Sequence, residues 1–189
     1  MRASLWLWAA VLVIACGDDD GEPRDERGSA GSGQDGGASA GTGVCTADGA
    51  CEQQVEVGPP NHVQGNINYT DPPPAGGPHN PCWGDFGVHE EALPAENWVH
   101  NLEHGAVVYL YDCPEGCAED VETLSALVEE RPFALLTAYG ALSTRFAVVA
   151  WGYRLESEDV DAEAFAAFYD AHADQALEST TAGAPSGCP

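Results

Sequence analysis

The feature that most limits the possible folds of this chain is a long segment, residues 52–97, that is dense in proline, glycine and asparagine. Proline removes a backbone donor and glycine permits positive φ, so neither a long helix nor a central strand is expected there. A loop of this length inside a compact domain is usually functional, or is held by cross-links and ligands. The regular core must therefore come from the second half of the chain.

The second half contains strand-like and helix-like patterns. Runs rich in β-branched and aromatic residues predict strands in GAVVYLYDC (105–113), FALLTAYG (133–140) and RFAVVAWGYRLE (145–156). Apolar residues at helical spacing predict helices in AEDVETLSALVEERP (118–132) and DAEAFAAFYDAHADQAL (161–177). The order predicts an α+β domain with a β-α-β-β-α core, in which two helices pack on a small sheet that follows a long Pro/Gly-rich loop region.

The cysteines predict that this domain is stabilised by disulfides. Six remain when Cys16 is set aside, and an even number favours disulfides in an oxidising compartment. The runs CTADGAC and CPEGC each look like a short closed loop, and the last two cysteines then pair with each other. The predicted pairs are Cys45–Cys51, Cys113–Cys117 and Cys82–Cys188. The alternative, in which the CPEGC cysteines bind a metal, is weaker because no second such pair accompanies them.

The first sixteen residues, MRASLWLWAAVLVIAC, predict an export signal, with a basic start, an apolar run and small residues before the cleavage point. The run is shorter than the roughly twenty apolar residues that span a bilayer. Its ending VIAC resembles a bacterial lipobox, which makes Cys16 the expected lipidation site. An ordinary signal peptide cut nearby and an uncleaved anchor are the alternatives.

These features predict three segments: a lipoprotein signal peptide at 1–16, a flexible Gly/Ser/Asp-rich tether at 17–51, and a single globular domain at 52–189. We therefore expect an exported protein that is lipid-anchored to the bacterial membrane and faces the periplasm or the cell exterior. The membrane would be its partner through the N-terminal lipid, and the sequence does not tell whether the domain has a protein partner.

The charge of the chain excludes other partners. The formal net charge is -25, and there are only six basic residues, none of them lysine. Such a surface repels the phosphates of nucleic acids and anionic lipid headgroups, so we expect neither as a ligand. Adaptation to solubility or to salt explains the acidity itself.

Histidines are crowded into the irregular part of the chain. Five of the six are His62, His79, His89, His100 and His104, whereas His172 lies on the last predicted helix and is interpreted as a solvated or packing residue. Neutral imidazole is the commonest metal ligand. For any single histidine, burial against a backbone carbonyl explains the residue better. For His79, His100 and His104 together, a metal site is favoured.

The spacing of His100, Glu103 and His104 has two interpretations. On a helix the three side chains share one face, as in the H-x-x-E-H motif of inverted zinc peptidases. On a strand, Glu103 points away from the two histidines. Gly105 and the strand that follows favour a short turn or an extended lead-in over a long helix, so the match to the peptidase motif is weak.

The type of metal follows from the available ligands. The only methionine is Met1, which excludes a thioether site. Imidazole with a carboxylate suits zinc, Cu(II), nickel or iron, and we expect zinc or copper. Three histidines would leave an open position for water, and such a site can be catalytic. A fourth ligand, His62 or Glu103, would close the site and favour a structural or carrier role.

Several runs of the sequence together resemble a known family. They are PPPAGGPHNP (72–81), GVH (87–89) and VHNLEHGAVVYLY (99–111). Bacterial secreted and membrane-anchored proteins share a domain of unknown function with this GPH…VHxLEHG signature, and the likeness extends over roughly residues 55–180. His89 replaces the family's usual tyrosine, and Gly77 replaces its frequent serine.

The resemblance implies no established activity, but it does imply that His79, His100, Glu103 and His104 belong together. The upstream run HVQGNINY adds His62 to this set. Three hypotheses follow: a metal-binding module, which we favour over an enzyme; a metal-dependent hydrolase or oxidoreductase with an open metal position; and a structural or interaction domain without metal. The sequence identifies no catalytic residue.

Overall fold

The computed structural model describes residues 43–178. The chain divides into two units, Met1–Ser39 and Ala40–Pro189, and all described residues belong to the second. The predicted signal segment, Cys16 and most of the predicted tether lie outside the described residues, as does Cys188. Within the described part, no helix combines the length and the hydropathy needed to cross a membrane.

The described residues form six strands and three helices. The longer elements follow the predicted order, except that the last predicted strand is divided into two, β5 and β6. The short strands β1 and β2 and the helix α1 come before them in the chain. In chain order they are β1 (Gln53–Gln54), β2 (Gly87–Val88), α1 (Ala95–Glu103), β3 (Val107–Tyr111), α2 (Ala118–Glu129), β4 (Ala134–Ala138), β5 (Phe146–Ala150), β6 (Tyr153–Ser157) and α3 (Ala162–His172).

All six strands belong to one mixed sheet, with the order β1-β6-β5-β3-β4-β2. Strands β3 and β4 are parallel and are joined by α2, whereas β5 runs antiparallel to β3 and β6 antiparallel to β5. The short strands β1 and β2 pair at the two edges. The predicted α+β class, with helices packed on a small sheet, is therefore confirmed.

Helices cover both faces of the sheet, which explains the continuous apolar runs of its strands. On one face, buried residues of α2 and α3, among them Leu124 and Phe165, pack with Tyr109 of β3. On the other face, Trp98 and Leu102 of α1 pack with Val108 of β3. Neighbouring residues of β3 thus point to opposite cores, as the pleat requires.

Two local predictions from the sequence were wrong. The run RFAVVAWGYRLE, predicted as one strand, forms the hairpin of β5 and β6, in which Ala150 pairs with Tyr153. Gly152 has a φ of 79° in the turn, a conformation that glycine adopts without steric cost. The region before Gly105, predicted as a turn or an extended lead-in, is the helix α1.

Disulfides close two short loops of the described chain, as predicted. Cys45 is bonded to Cys51, and Cys113 to Cys117. Cys82 is also disulfide-bonded, and its predicted partner lies outside the described residues.

The loop closed by Cys45 and Cys51 forms the end of the segment that we predicted to be a tether. The N–H of Ala47 in this loop donates to the Asp161 carboxylate at 2.7 Å. Asp161 is also the N-cap of α3 and accepts from the N–H of Ala164 at 3.0 Å. This part of the predicted tether is thereby hydrogen-bonded to the start of α3.

Candidate metal centre

Two parts of the chain supply the histidine cluster, which we define as His62, His79, His100 and Glu103. Helix α1 carries His100 and Glu103, which lie on one face because they are three residues apart. The Pro/Gly-rich loop carries the other two, which are neighbours in an isolated parallel β-bridge. The long loop and the last turn of α1 therefore meet at one point.

Backbone hydrogen bonds hold the two loop histidines in place. The N–H of His79 donates to the carbonyl of Asn61 at 3.0 Å, and the His79 carbonyl accepts from Val63 at 2.8 Å. The loop is also tied to the start of α1, because Asn80 N–H donates to the carbonyl of Glu96 at 2.8 Å. The Glu96 carboxylate accepts from the N–H of Ile67 at 2.8 Å. The irregular segment is thus ordered where it approaches the helix.

Two glycines shape the loop just before His79. Gly76 has a φ of 142°, and a Cβ at this position would lie 3.1 Å from ring atoms of Trp151. Gly77 has a φ of 102°, where a side chain would strain the backbone. The run GGPH is therefore required locally, because it turns the Gly77 carbonyl toward the imidazole two residues later.

The ligand atoms of the histidine cluster converge on one carboxylate oxygen. Glu103 Oε2 lies 3.0 Å from His79 Nε2, 3.9 Å from His100 Nε2 and 4.0 Å from His62 Nε2. One ligand atom from each of the four residues lies within 4.8 Å of all the others. The group could therefore hold a single metal ion.

The tautomers of the two buried rings follow from their backbone partners. The Nδ1–H of His79 donates to the carbonyl of Gly77 at 2.8 Å, and the Nδ1–H of His100 donates to the carbonyl of Asn80 at 2.8 Å. A carbonyl oxygen only accepts, so each neutral ring keeps its lone pair on Nε2. Both Nε2 atoms face the site, and no donor within residues 43–178 satisfies His79 Nε2.

Burial keeps the two rings neutral. It lowers the pKa of His79, and it lowers the pKa of His100 to about 4, with the neighbouring imidazoles adding to the effect. Burial also raises the pKa of Glu103, and the Glu178 carboxylate adds to that shift. A cation placed among these groups would stabilise the ionised carboxylate and would accept both imidazole lone pairs.

The histidine cluster is open on one side only. His79 is fully buried, and the side chains of His100 and Glu103 are only 6 % and 7 % exposed. The His62 side chain is 54 % exposed. An ion would therefore enter and leave past His62.

His104 lies beside the histidine cluster and outside the set of four. Its Nε2 is 3.1 Å from His100 Nε2, and its Nδ1 is 3.6 Å from the Glu178 carboxylate. Because His100 Nε2 is an acceptor, His104 Nε2 is the donor in this contact. Of the three histidines favoured from the sequence, His79 and His100 share the site with Glu103 and His62, whereas His104 adjoins it.

Trp83 packs beside the histidine cluster, and the sequence did not predict this. Its ring stacks on His104 with a centroid distance of 4.2 Å and also lies 5.6 Å from the His100 ring. Trp83 is buried and stands in the Pro/Gly-rich loop, where no periodicity marks it. Its ring packs against both imidazoles and thereby restricts their rotation.

The remaining histidines lie elsewhere. The half-buried His89 contacts the carbonyl of Asp85 through Nε2 at 2.8 Å. His172 of α3 pairs with the Glu52 carboxylate at 2.9 Å and stacks on Tyr153. His172 is therefore a packing residue, which is one of the two roles predicted for it. Its contact with Glu52 joins α3 to the chain just before β1.

The donors of the histidine cluster fit a borderline transition metal. Imidazole nitrogens with one carboxylate oxygen are the ligand types of zinc and Cu(II) sites. In most metal sites, each ligating histidine donates its other ring N–H to a carbonyl or a carboxylate, which fixes the ring. His79 and His100 both satisfy this condition.

Comparison with known proteins places the chain in a family and gives no activity. No curated protein and no solved structure matches the chain significantly. One family model matches residues 62–186, which include all four residues of the histidine cluster. The chain therefore belongs to the family described as "Protein of unknown function (DUF3105)".

Proposed function

We propose that this domain binds one divalent transition metal ion, zinc or copper, through His62, His79, His100 and Glu103. The observation that carries the proposal is the orientation of the two buried rings. Each Nδ1–H is used by a backbone carbonyl. The His79 Nε2 lone pair therefore faces a Glu103 oxygen, itself an acceptor, at 3.0 Å, whereas His100 Nε2 accepts from His104 and lies 3.9 Å from the same oxygen. Acceptors that face each other in a buried site need a cation or a proton between them.

A purely structural role for these histidines explains the geometry less well. A packed histidine is usually satisfied at both ring nitrogens, whereas His79 Nε2 is buried with no donor in the described part of the chain. Protonating one ring would supply a donor, but burial disfavours the charged form of both His79 and His100. Burial raises the pKa of Glu103, so a proton on this carboxyl is the competing donor to His79 Nε2, and the metal titrations below distinguish the two. A metal ion removes the conflict at His79 and binds His100 in place of its contact with the His104 N–H.

Four ligands favour a holding role over catalysis, because a four-coordinate site of protein ligands leaves no position for a substrate. The exposure of His62 distinguishes this site from a sealed structural one, since its ring can swing into solvent. We infer that the domain carries an exchangeable metal. Metal-dependent catalysis is the second candidate, and it would require His62 to be replaced by water at the metal.

Elemental analysis of the full chain, purified without a histidine tag, tests the proposal. We expect about one zinc or copper ion per chain in the wild type and in His89→Ala, because the His89 ring lies outside the cluster. His100→Ala should hold far less. A wild-type protein that contains no metal, and whose unfolding temperature is unchanged by Zn²⁺ or Cu²⁺, would refute metal binding.

We also propose that the protein is exported and is held at a bacterial membrane by a lipid on Cys16. The support is the lipobox-like VIAC, together with cysteine usage typical of oxidising compartments. Expression in a bacterium, followed by detergent phase partition, would test this. We expect the wild type in the detergent phase and Cys16→Ala in the aqueous phase, and equal partition of the two would contradict lipidation.

A further inference from the structure

The Cys113–Cys117 pair lies at the opposite end of β3 from the histidine cluster. Cys113 follows the last residue of β3 by two positions, and Cys117 is the N-cap of α2. Strand β3 is an interior strand, paired with β4 on one side and β5 on the other. The pair therefore sits at the carboxyl end of a strand–helix–strand unit with parallel strands, which is where α/β sheets place reactive groups.

A cysteine at a helix N-terminus has a stabilised thiolate, because the backbone N–H groups and the helix dipole favour negative charge there. Helix α2 has twelve residues, and its N-cap side chain makes no hydrogen bond to the first turn. The corresponding position of α3 is Asp161, whose carboxylate accepts from the N–H of Ala164. After reduction, the thiolate of Cys117 could cap α2 as this carboxylate caps α3.

The charges around Cys117 are mixed. Glu119 and Asp120 lie in the first turn of α2 and oppose a thiolate there. The Asp120 carboxylate is paired with the Arg145 guanidinium at 2.9 Å, so much of its charge is balanced. Glu119 has no such partner among the described ion pairs and is the main opposing charge within the first turn.

The other short disulfide of the described chain provides an internal comparison. Cys45 and Cys51 are both exposed, whereas Cys113 and Cys117 are half-buried beneath the exposed residues 114–116. Both loops are short, with sequence separations of six and four. Cys45 and Cys51 cap no helix. If solvent access decided which disulfide is reduced first, Cys45–Cys51 would be reduced first. If the helix N-terminus decided it, Cys113–Cys117 would be reduced first.

We propose that Cys113 and Cys117 form a redox-active pair whose disulfide oxidises a dithiol in a protein or peptide partner. Stabilising the thiolate stabilises the reduced form, which makes the disulfide a stronger oxidant. The spacing is one residue longer than the C-x-x-C of known redox motifs beside such a strand–helix–strand unit. This inference is independent of the proposed metal site.

The exchange balances in two steps. A partner thiolate attacks the Cys113 sulfur, the Cys113–Cys117 bond breaks, and Cys117 leaves as the N-cap thiolate. The second partner thiolate then attacks the partner sulfur of the mixed disulfide and releases Cys113 as a thiolate, which takes a proton from water. The partner loses two electrons and gains a disulfide, and the cysteine pair takes up both electrons. A disulfide-containing oxidant would restore the oxidised pair.

Equilibration of the full wild-type chain with mixtures of reduced and oxidised glutathione tests this proposal. After acid quenching and alkylation, mass spectrometry of peptides reports each pair separately. For each pair we determine the ratio of the squared concentration of reduced glutathione to the concentration of oxidised glutathione at which half of the disulfide is reduced. We expect this ratio to be at least tenfold lower for Cys113–Cys117 than for Cys45–Cys51. Reduction of both pairs together, or of Cys45–Cys51 first, would overturn the proposal.

An exposed substitution tests the electrostatic part without disturbing the core. Glu119→Gln removes the opposing charge and should lower the glutathione ratio at half reduction of Cys113–Cys117 severalfold, with Cys45–Cys51 unchanged. The oxidised protein should also convert a synthetic two-cysteine peptide to its disulfide, with stoichiometric loss of the Cys113–Cys117 bond. No peptide oxidation, or an unchanged ratio in Glu119→Gln, would contradict a helix-activated pair.

Discussion

Two histidine–carboxylate contacts in this domain have similar distances and different chemistry. His172 Nε2 lies 2.9 Å from Glu52, and His79 Nε2 lies 3.0 Å from Glu103. At Glu52 one ring forms one hydrogen bond, beside Tyr153. At Glu103 three imidazoles approach one oxygen, and the backbone already holds the Nδ1–H of two of them. The distance between the groups does not distinguish the two contacts, whereas the fixed tautomers do, and they support the metal binding that we propose for the second.

The largest expected difference between the two contacts is in metal affinity. His100→Ala removes a ring whose lone pair faces the site, and we expect a loss of roughly 100-fold or more in affinity for Zn²⁺ or Cu²⁺, since even groups that only orient a ligand contribute 10–100-fold. His172→Ala should leave the affinity unchanged. Titration calorimetry on metal-free protein measures both, and equal losses in the two variants would place the metal elsewhere.

The pH dependence of the metal-free protein should also separate the two contacts. The pKa of His100 is lowered to about 4 from an unfolded value of 6.5. Between these pH values the unfolded chain binds more protons, so the free energy of unfolding falls as the pH falls. The contribution is fully present above pH 6.5 and amounts to about 3 kcal/mol over this interval.

Other groups also titrate in this window, so the measurement compares variants. The raised pKa of Glu103 acts with the opposite sign, because its folded form retains a proton that the unfolded carboxyl loses as the pH rises above 4.5. Urea denaturation at pH 7 and at pH 4.5 should give a smaller loss of stability in metal-free His100→Ala than in the wild type. An identical loss in both proteins would mean that the His100 ring takes up a proton as readily in the folded protein as in the unfolded chain.

Metal removal is a third way to distinguish the Glu103 contact from the Glu52 contact. A ligand at 100 times its Kd stabilises the folded state by about 2.7 kcal/mol. A chelator should therefore lower the unfolding temperature of the wild type and of His172→Ala by several degrees. The unfolding temperature of His100→Ala should not respond. A chelator effect that persists in His100→Ala would show that the stabilising ion is bound by other groups.

The regular half of the domain was largely predictable because the residues that are apolar in its sequence are also the residues that are buried in its structure. Strands β3 and β4 read as continuous apolar runs since helices cover both faces, and α2 and α3 have apolar residues at helical spacing. Helix α1 was missed because its buried face is partly polar. His100, Asn101 and Glu103 are buried along with Trp98 and Leu102, so burial did not follow hydropathy.

The candidate site was only partly predictable, because half of it depends on contacts between distant residues. The spacing of His100 and Glu103 is local, and helix geometry brings them together once α1 forms. His62 joins His79 through a β-bridge between residues seventeen positions apart, and no local pattern indicates such a contact. His104 was favoured as a ligand by its proximity in sequence, and the structure turns it toward Glu178.

The smallest expected effect comes from changing the glutamate of each histidine–carboxylate contact to glutamine. We expect the two substitutions to change the free energy of unfolding in opposite directions. Glu103→Gln replaces an acceptor with an amide that can donate to His79 Nε2, and the neutral side chain costs less to bury. We expect metal-free Glu103→Gln to be more stable than the wild type by about 1 kcal/mol, the usual net value of a hydrogen bond. Its metal affinity should fall.

Glu52→Gln is the matched change at the other contact, where the ring nitrogen already has an acceptor. An amide oxygen is a weaker acceptor than a carboxylate, so this variant should lose about 0.5–1 kcal/mol. Denaturant unfolding of the two metal-free variants beside the wild type measures both effects. If both variants are destabilised, the Glu103 carboxylate already has a donor in the metal-free protein, and the acceptor conflict on which the metal assignment depends does not exist.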